Sequence, residues 1–490
     1  MKKLTTFAAI AGLAFCLASC SKDFNSGFDS MVGGDVCPPE NQSGDKFEEF
    51  ADNEFVSAAE NPVSTFSVDA DGAAYAIVRN YINAGFNVPK NAVRIEELLN
   101  YFTFDYADPT EGEALAINAE VGVCPWAPNH KLVRLGLKGK PLAKDELPLS
   151  NYVFLVDVSG SMDNPSKLPL LKKGLIELAS HLEPEDRISI ITYSGNVKKL
   201  LESTPAKEND KIVKAIDKLS AGGFTNGGDA INMAYNEALA NFIPGGNNRI
   251  VLGTDGDFNV GKVSTEDLLE LVSANADKGI YLTALGFGMG NLNDAMMEQI
   301  SNRGNGTYFF IDSEEEMIKV LCNEKNKFVS TVNDCKIQLR FDPEKVDSYR
   351  LIGYENRVMS NEDFEDDSKD AGEIGAGQTI TALYEIIPQP SFNNGDKVAS
   401  FDVRYKETLG DSSKEMCIDV AEWVENSSNL DFAAGVTAFG LVMRDSKFKG
   451  AASIEMAKEL AGRALEFDPF GYRRDFIGLL DKLIENQKKK

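Results

Sequence analysis

The sequence is poor in the residues that most metalloenzymes and disulfide-rich domains depend on. Its 490 residues include two histidines, His130 and His181, and seven cysteines without a Cys-x-x-Cys pair. Zinc centres and Ser-His-Asp triads need histidines or paired thiols, so neither kind of site is expected. Five cysteines follow Cys20. An odd, widely scattered set of this kind does not form a disulfide framework, although an exported protein could contain disulfide bonds.

Other catalytic and binding signatures are also missing. The sequence contains neither a Gly-x-x-x-x-Gly-Lys-Ser/Thr nucleotide loop nor a Gly-x-Ser-x-Gly nucleophile elbow. Basic residues number 50 against 76 acidic ones, which gives a formal net charge of −26. This charge argues against a nucleic-acid or anionic-membrane surface but is compatible with cation binding.

The N-terminus has the features of an export signal. Lys2 and Lys3 precede an apolar run that is too short to span a membrane. The run closes in Leu-Ala-Ser-Cys at residues 17–20, which resembles the bacterial lipobox and implies cleavage before Cys20 and lipidation of its thiol. An ordinary signal peptide followed by a chance cysteine is the alternative. We expect a lipid-anchored protein of the cell envelope without a transmembrane span, with the outer membrane favoured.

Composition and periodicity divide the chain into five segments. The predicted order is a signal peptide (1–19), a flexible Gly-, Ser- and Asp-rich tether (20–60), an N-terminal region of helices then strands (61–149), an α/β domain (150–325), and a β-rich domain ending in helices (326–490). The strands near 115–137 and those after Cys335 are expected to share a sheet, which would make the α/β domain an insertion.

The middle segment alternates apolar runs with amphipathic ones, a pattern typical of a parallel sheet covered by helices on both faces. We therefore predict a doubly wound, mainly parallel, Rossmann-like α/β fold, flanked by a β-rich domain and terminal helices. The predicted strands are Tyr152–Val156, Arg187–Tyr193, Ile250–Thr254, Ile280–Phe287 and Thr307–Ile311.

Polar side chains follow two of these strands, and another lies in a glycine-rich loop. Asp157 ends the first strand, with Ser159 and Ser161 at alternate positions after it, while Thr225 lies among glycines and Asp255 directly follows another strand. Ligands of open α/β sheets bind beyond the carboxyl ends of the strands, so these loops converge if the strands are neighbours. Three hydroxyls and two carboxylates, without nitrogen or sulfur, suit Mg²⁺, Mn²⁺ or Ca²⁺ rather than zinc.

These five residues resemble the metal-ion-dependent adhesion site of von Willebrand factor type A (VWA) domains. The stretches "STFSVDADGAAYAIVRNYIN", "NAVRIEELLNYF", "CPWAPNHKLVRLGLKG" and "YRLIGYENR" resemble a bacterial branch of VWA lipoproteins with an N-terminal VWA-associated region and a C-terminal domain of unknown function. The resemblance implies that Ser159 and Ser161 bind Mg²⁺ directly and Thr225 directly or through water. Asp157 and Asp255 would act mainly through water, and a carboxylate of a partner protein would complete the site.

Three functions remain open from the sequence. The first is a non-enzymatic lipoprotein that binds a protein carboxylate through the metal. The second is a metal-dependent hydrolase, most plausibly a phosphatase of the haloacid dehalogenase class, which would need a second aspartate where Ser159 stands. The third is a structural module in which the metal only stabilises the fold, a gain of about 1.4 kcal/mol at a tenfold excess over the dissociation constant.

Overall fold

The structure is a computed structural model that describes residues 44–223, 228–256 and 264–489. The strands in these residues are β1 (Val56–Ser57), β2 (Val63–Ser67), β3 (Leu115–Val123), β4 (Lys131–Gly139), β5 (Ser150–Asp157), β6 (Arg187–Tyr193), β7 (Val197–Pro205), β8 (Asn247–Thr254), β9 (Ile280–Phe287), β10 (Tyr308–Ile311), β11 (Ser330–Phe341), β12 (Val346–Ile352), β13 (Val358–Met359), β14 (Gly372–Gly375), β15 (Thr379–Pro388), β16 (Ala399–Lys406) and β17 (Lys414–Val420). The helices are α1 (Ala73–Ala84), α2 (Ile95–Asn100), α3 (Leu168–His181), α4 (Asn209–Asp217), α5 (Gly228–Ala240), α6 (Thr265–Ala276), α7 (Asp294–Arg303), α8 (Glu314–Ile318), α9 (Ser428–Arg444), α10 (Ile454–Gly462) and α11 (Tyr472–Lys489).

The α/β domain is built on a six-stranded sheet with the order β10-β9-β8-β5-β6-β7. Its neighbouring strands are parallel except β7, which pairs antiparallel with β6 at one edge. Strands β5 and β8 are buried along their whole length, as expected for apolar strands between two layers of helices. The predicted doubly wound fold is confirmed. Strand β7 was not predicted, because Lys198, Lys199 and Glu202 interrupt its apolar pattern.

Two antiparallel sheets form a β-sandwich beside this domain. Their strand orders are β1-β12-β15-β4-β3 and β13-β2-β11-β16-β17, with β14 paired to β11. The inner faces share one apolar core, in which Phe341 of β11 stacks on Tyr349 of β12 with 4.1 Å between ring centroids. The outer face of the first sheet is covered by a helical layer that consists of α2, α9, α10 and α11.

The β-sandwich contains strands from both sides of the α/β domain. Strand β4 pairs with β15, with Leu135 opposite Ala382, and β2 pairs with β11, with Phe66 opposite Ile337. The expectation that strands before and after the α/β domain share a sheet is thus confirmed, and the α/β domain is an insertion in the sandwich. The segment boundaries drawn from the sequence stay predictions.

Helix α1 lies between the α/β domain and the helical layer that covers the β-sandwich. It ends where Gly85 adopts a left-handed conformation with φ of 77°. Its residues Ile77 and Tyr81 pack in the core of the α/β domain, whereas Tyr75 and Val78 pack in the helical layer. The sequence pattern predicts the helix but places Tyr81 on the same face as Tyr75. That placement is wrong, because Tyr81 packs in the core of the α/β domain and Tyr75 in the helical layer. Since both faces of α1 are buried, the apolar pattern does not separate them.

Part of the predicted tether is packed on the folded body. Strand β1 pairs with β12, and Asp52 binds the guanidinium of Arg444 at 2.9 Å. Phe47 packs against the core of the α/β domain, and Phe55 packs edge-on against Phe448. The prediction of a flexible tether is therefore wrong for residues 44–60, because aromatic side chains, an ion pair and a strand attach this acidic stretch to the folded body.

The cysteines and helices add two observations. Cys124, Cys322, Cys335 and Cys417 are free thiols, and Cys37 lies outside the described residues. Across residues 44–223, 228–256 and 264–489, no helix combines the length and the apolar character needed to cross a membrane.

Candidate metal-binding site

Asp157 lies at the carboxyl end of β5, between β6 and β8, and its side chain is fully buried. One carboxylate oxygen accepts a hydrogen bond of 2.8 Å from the backbone N–H of Ser159. The other accepts one of 3.2 Å from the hydroxyl of Thr254 at the end of β8. Because the two donors lie at the end of β8 and just after the end of β5, the sheet orients the Asp157 carboxylate.

The hydroxyls of Ser159 and Ser161 lie above this carboxylate. Their oxygens are 2.9 Å apart; Ser159 is buried, whereas Ser161 is exposed. The turn that carries them is held by a hydrogen bond of 3.1 Å from the N–H of Gly160 to the carbonyl of Gly223. The site therefore has a buried floor and one side open to solvent.

Asp255 follows β8 directly and is fully buried. Its carboxylate receives a hydrogen bond from Ser161 and forms an ion pair of 2.9 Å with the ammonium of Lys167, which also donates to the Asn291 side chain at 3.3 Å. Lys167 is itself buried, just before α3. One of the two carboxylates of the site thus has a cationic partner within the protein.

The two carboxylates differ in their ionisation. Burial raises the pKa of Asp157 to about 6, and the nearby charge of Asp255 adds to this, while hydrogen bonds from Ser159 oppose it. Burial also disfavours ionised Asp255, but hydrogen bonds from Lys167, Asn291 and Ser161 outweigh it and lower the pKa of Asp255. Uncompensated negative charge is therefore concentrated at Asp157.

The structure brings together four of the predicted ligands. Asp157, Ser159, Ser161 and Asp255 meet at the carboxyl edge of the sheet. Thr225 and the predicted lipidation residue Cys20 lie outside the described residues. Their metal-binding and lipidation roles, like those of the other four as ligands, stay predictions.

Sequence reasoning missed the polar residues around these ligands. Lys167 lies ten positions after Asp157, in a segment interpreted only as the start of an amphipathic helix, and Asn291 comes from the loop before α7. Thr254 was considered only as the end of a strand. A buried lysine beside a carboxylate indicates an ion pair once the fold is known. The spacing of Lys167 from Asp157 in the sequence does not reveal its contact with Asp255.

The donor set fits a hard divalent cation. Among the described residues, the polar side-chain atoms that these contacts bring to the site are oxygens of carboxylates, hydroxyls and the Asn291 amide, together with the Lys167 ammonium. Such oxygens are the preferred ligands of Mg²⁺ and Ca²⁺. Ser159, Ser161, Asp157 and Asp255 would hold the ion directly or through water, and it would supply a Lewis-acidic position for an anionic ligand.

Family models match three stretches of the chain. A profile described as von Willebrand factor type A domain matches residues 151–323, and one described as von Willebrand factor matches residues 41–134. A third, described as "Uncharacterized protein YfbK, C-terminal", matches residues 326–485. VWA domains typically mediate protein–protein interaction, are generally not enzymes and commonly bind a divalent metal ion.

Individual proteins extend this likeness to most of the chain. "Uncharacterized protein YfbK" of Escherichia coli (strain K12) is 37% identical over 468 residues, which cover 89% of this chain and 80% of that protein. Inter-alpha-trypsin inhibitor heavy chain H3 of Homo sapiens is 33% identical over 181 residues, 34% of this chain and 20% of that protein. A solved structure, von Willebrand factor type A from Catenulispora acidiphila, is 16% identical and covers 76% of this chain and 90% of its own, with a TM-score of 0.42. Because it is 37% identical to Escherichia coli YfbK over most of both chains and matches the VWA family model, the chain belongs to the family of VWA-domain proteins that includes YfbK.

Proposed function

We propose that this protein is a lipid-anchored, non-catalytic receptor of the cell envelope that binds a partner protein through a divalent cation, Mg²⁺ or alternatively Mn²⁺ or Ca²⁺. The cation would be held by Asp157, Ser159, Ser161, Thr225 and Asp255. An aspartate or glutamate of the partner would complete its coordination. The lipid would be attached to Cys20, with the outer membrane as the favoured location.

One observation carries this proposal. The hydroxyls of Ser159 and Ser161 are 2.9 Å apart at the sheet edge, Ser159 beside the Asp157 carboxylate and Ser161 beside that of Asp255, and Ser161 faces solvent. Neutral hydroxyl ligands leave a bound cation electrophilic, so an outside carboxylate can still gain from binding it. A purely structural ion would be better served by a closed, fully buried cage.

The test is crosslinking in living cells followed by identification of the captured proteins. We expect a defined partner that is captured from untreated cells and is lost after addition of EDTA or in the Asp157→Ala and Ser161→Ala variants. Ser166→Ala is the matched control, because Ser166 is exposed in the same segment and its hydroxyl donates to the neighbouring Asn164. Capture that is unchanged by chelator and by both site variants would refute the proposal.

In the same cells, Cys20→Ser should move the chain out of the membrane fraction.

Lys167 provides a second test, on the purified protein and without a partner. Its ammonium competes with a cation for Asp255, so Lys167→Met should increase the affinity for Mn²⁺ by about tenfold, roughly 1.4 kcal/mol. Calorimetric titration measures this directly. Lys173→Met in helix α3, which Lys167 precedes, is the control, because Lys173 is exposed and pairs with Glu314. Equal or weaker Mn²⁺ binding by Lys167→Met would show that the ammonium does not compete with the ion.

A further inference from the structure

A second group of carboxylates is buried where the α/β domain meets the rest of the molecule. We call it the junction cluster; it consists of Asp69, Asp71, Glu97, Asp294 and Glu298, none of which is more than 3% exposed. The first two follow β2, the third lies in α2, and the last two lie in α7 of the α/β domain. One oxygen from each of Asp69, Glu97 and Glu298 lies within 4.8 Å of the other two.

The protein supplies too few cations for this cluster. Arg94 binds Asp294 at 2.6 Å, pairs with Glu97 and lies 3.7 Å from Glu298, and Arg357 binds Asp69 at 3.0 Å. Among the described residues, five carboxylates therefore share two guanidinium groups, so that the fully ionised cluster would carry three excess negative charges. Buried carboxylates without a counter-charge strongly oppose folding unless they bind protons or a cation.

Two carboxylates of the cluster have an oxygen that makes no hydrogen bond with any residue the structure describes. These oxygens are Oδ2 of Asp71 and Oε2 of Glu298. The other oxygen of each is fixed, since Asp71 accepts 2.8 Å from the N–H of Tyr308 and Glu298 accepts 2.6 Å from the amide of Asn356. Burial raises the pKa of Glu298 to about 8 despite the nearby Arg94. Both side chains are therefore oriented, and each keeps one oxygen without a hydrogen bond to any described residue, although Glu298 Oε2 lies 3.7 Å from the Arg94 guanidinium.

A cavity of about 330 Å³ reaches the cluster from outside. Its lining includes Glu48, Glu49, Asn53, Arg94, Glu298 and Glu355. Three of the acidic residues in this lining lie outside the junction cluster, so the route to Glu298 favours entry of a cation. The same lining brings residues 48–53, which belong to the segment predicted as a tether, next to the α/β domain.

We propose that the junction cluster binds a Ca²⁺ ion through Asp69, Glu97 and Glu298, with Asp71 as a further ligand. Ca²⁺ accepts several carboxylates in irregular geometry, whereas Mg²⁺ demands a near-ideal octahedron and retains water. The ion offsets two of the three excess negative charges. It also ties α7 of the VWA domain to β2 and α2 of the flanking body, independently of any ion at the strand-end site.

The experiment measures Ca²⁺ bound to the full chain in detergent when the strand-end site is disabled by Ser159→Ala and Ser161→Ala. We expect this double variant to bind one Ca²⁺ per chain and to melt at least about 3 °C higher when Ca²⁺ is saturating. Adding Asp71→Asn and Glu298→Gln should weaken Ca²⁺ binding at least about 100-fold and remove the shift. These replacements keep the shape of each side chain and its hydrogen bond.

Glu316→Gln in the same background is the control, because Glu316 is also buried but is paired with Arg79. It should bind Ca²⁺ like its parent, even if it is less stable. Two results would overturn the proposal: no Ca²⁺ bound and no melting shift in the Ser159→Ala and Ser161→Ala protein, or binding that persists after Asp71→Asn and Glu298→Gln. If the quadruple variant fails to fold, the Ca²⁺-dependent melting shift of the Ser159→Ala and Ser161→Ala protein still tests the junction cluster. If the strand-end variants lose partner capture but still bind Ca²⁺ at the junction cluster, the loss reports on the strand-end site and leaves the junction proposal intact.

Discussion

Replacing Arg94 with methionine should destabilise the folded chain by about 3–5 kcal/mol, since it leaves buried carboxylates without a partner. Arg94 is 2% exposed and its guanidinium pairs with Glu97, Asp294 and, at 3.7 Å, Glu298. Methionine fills a similar volume, so the loss reports the charge rather than a cavity. For domains of this size, such a loss lowers the melting temperature by roughly 10 °C.

Thermal melting followed by circular dichroism gives the measurement. Arg463→Met is the matched control, because Arg463 and its partner Glu459, 2.5 Å apart, are 51% and 70% exposed. An exposed pair of this kind contributes at most about 1 kcal/mol. If Arg94→Met had the same melting temperature as Arg463→Met and the unchanged protein, the buried ion pairs would not support the junction between the α/β domain and the flanking body.

The second large effect is expected from Gly306→Ala. Gly306 lies in the turn between α7 and β10, where an added Cβ atom would overlap the backbone carbonyl of Leu282 in β9. A carbonyl within a sheet cannot rotate away as a side chain can, so β10 would have to shift along β9. We expect a loss of at least about 3 kcal/mol, because tight backbone contacts are among the few causes of large mutational effects.

Gly410→Ala separates this steric effect from the general cost of replacing a glycine. Gly410 lies in the turn between β16 and β17, and an added Cβ atom would meet nothing within 4 Å. Its melting temperature should stay close to that of the unchanged chain. Hydrogen exchange should show faster exchange of the β10 amides only in Gly306→Ala. Equal protection of β10 in the two variants would contradict the proposed overlap.

The sequence was most informative about the α/β domain. Arg187–Tyr193 and Ile280–Phe287 were predicted with the bounds that the structure has, because continuously apolar strands flanked by amphipathic helices leave few alternatives. The position of Asp157 at a strand end followed from the same pattern, and its meeting with Asp255 followed from the neighbouring β5 and β8. Regular periodicity and the rules of parallel sheets were sufficient for these features.

The sequence was least informative about buried charge. Acidic residues are usually exposed, so Asp69, Asp71 and Glu97 gave no sign of a buried position. Their burial depends on Asp294 and Glu298, about 200 residues away in the chain, and on the docking of a separate domain. Contacts of this kind leave no periodic signal. The same reason explains why the ion pair of Lys167 with Asp255 was not foreseen.

The insertion of one domain within another constrains the order in which the protein can assemble. Strand β4 ends at Gly139 and its partner β15 begins at Thr379, so neither sandwich sheet can be completed until most of the polypeptide has left the ribosome. The VWA sheet uses only strands from β5 to β10 and can form earlier during synthesis. Once compact, it brings the two ends of the sandwich together and reduces the entropy that must be lost when those distant strands finally pair.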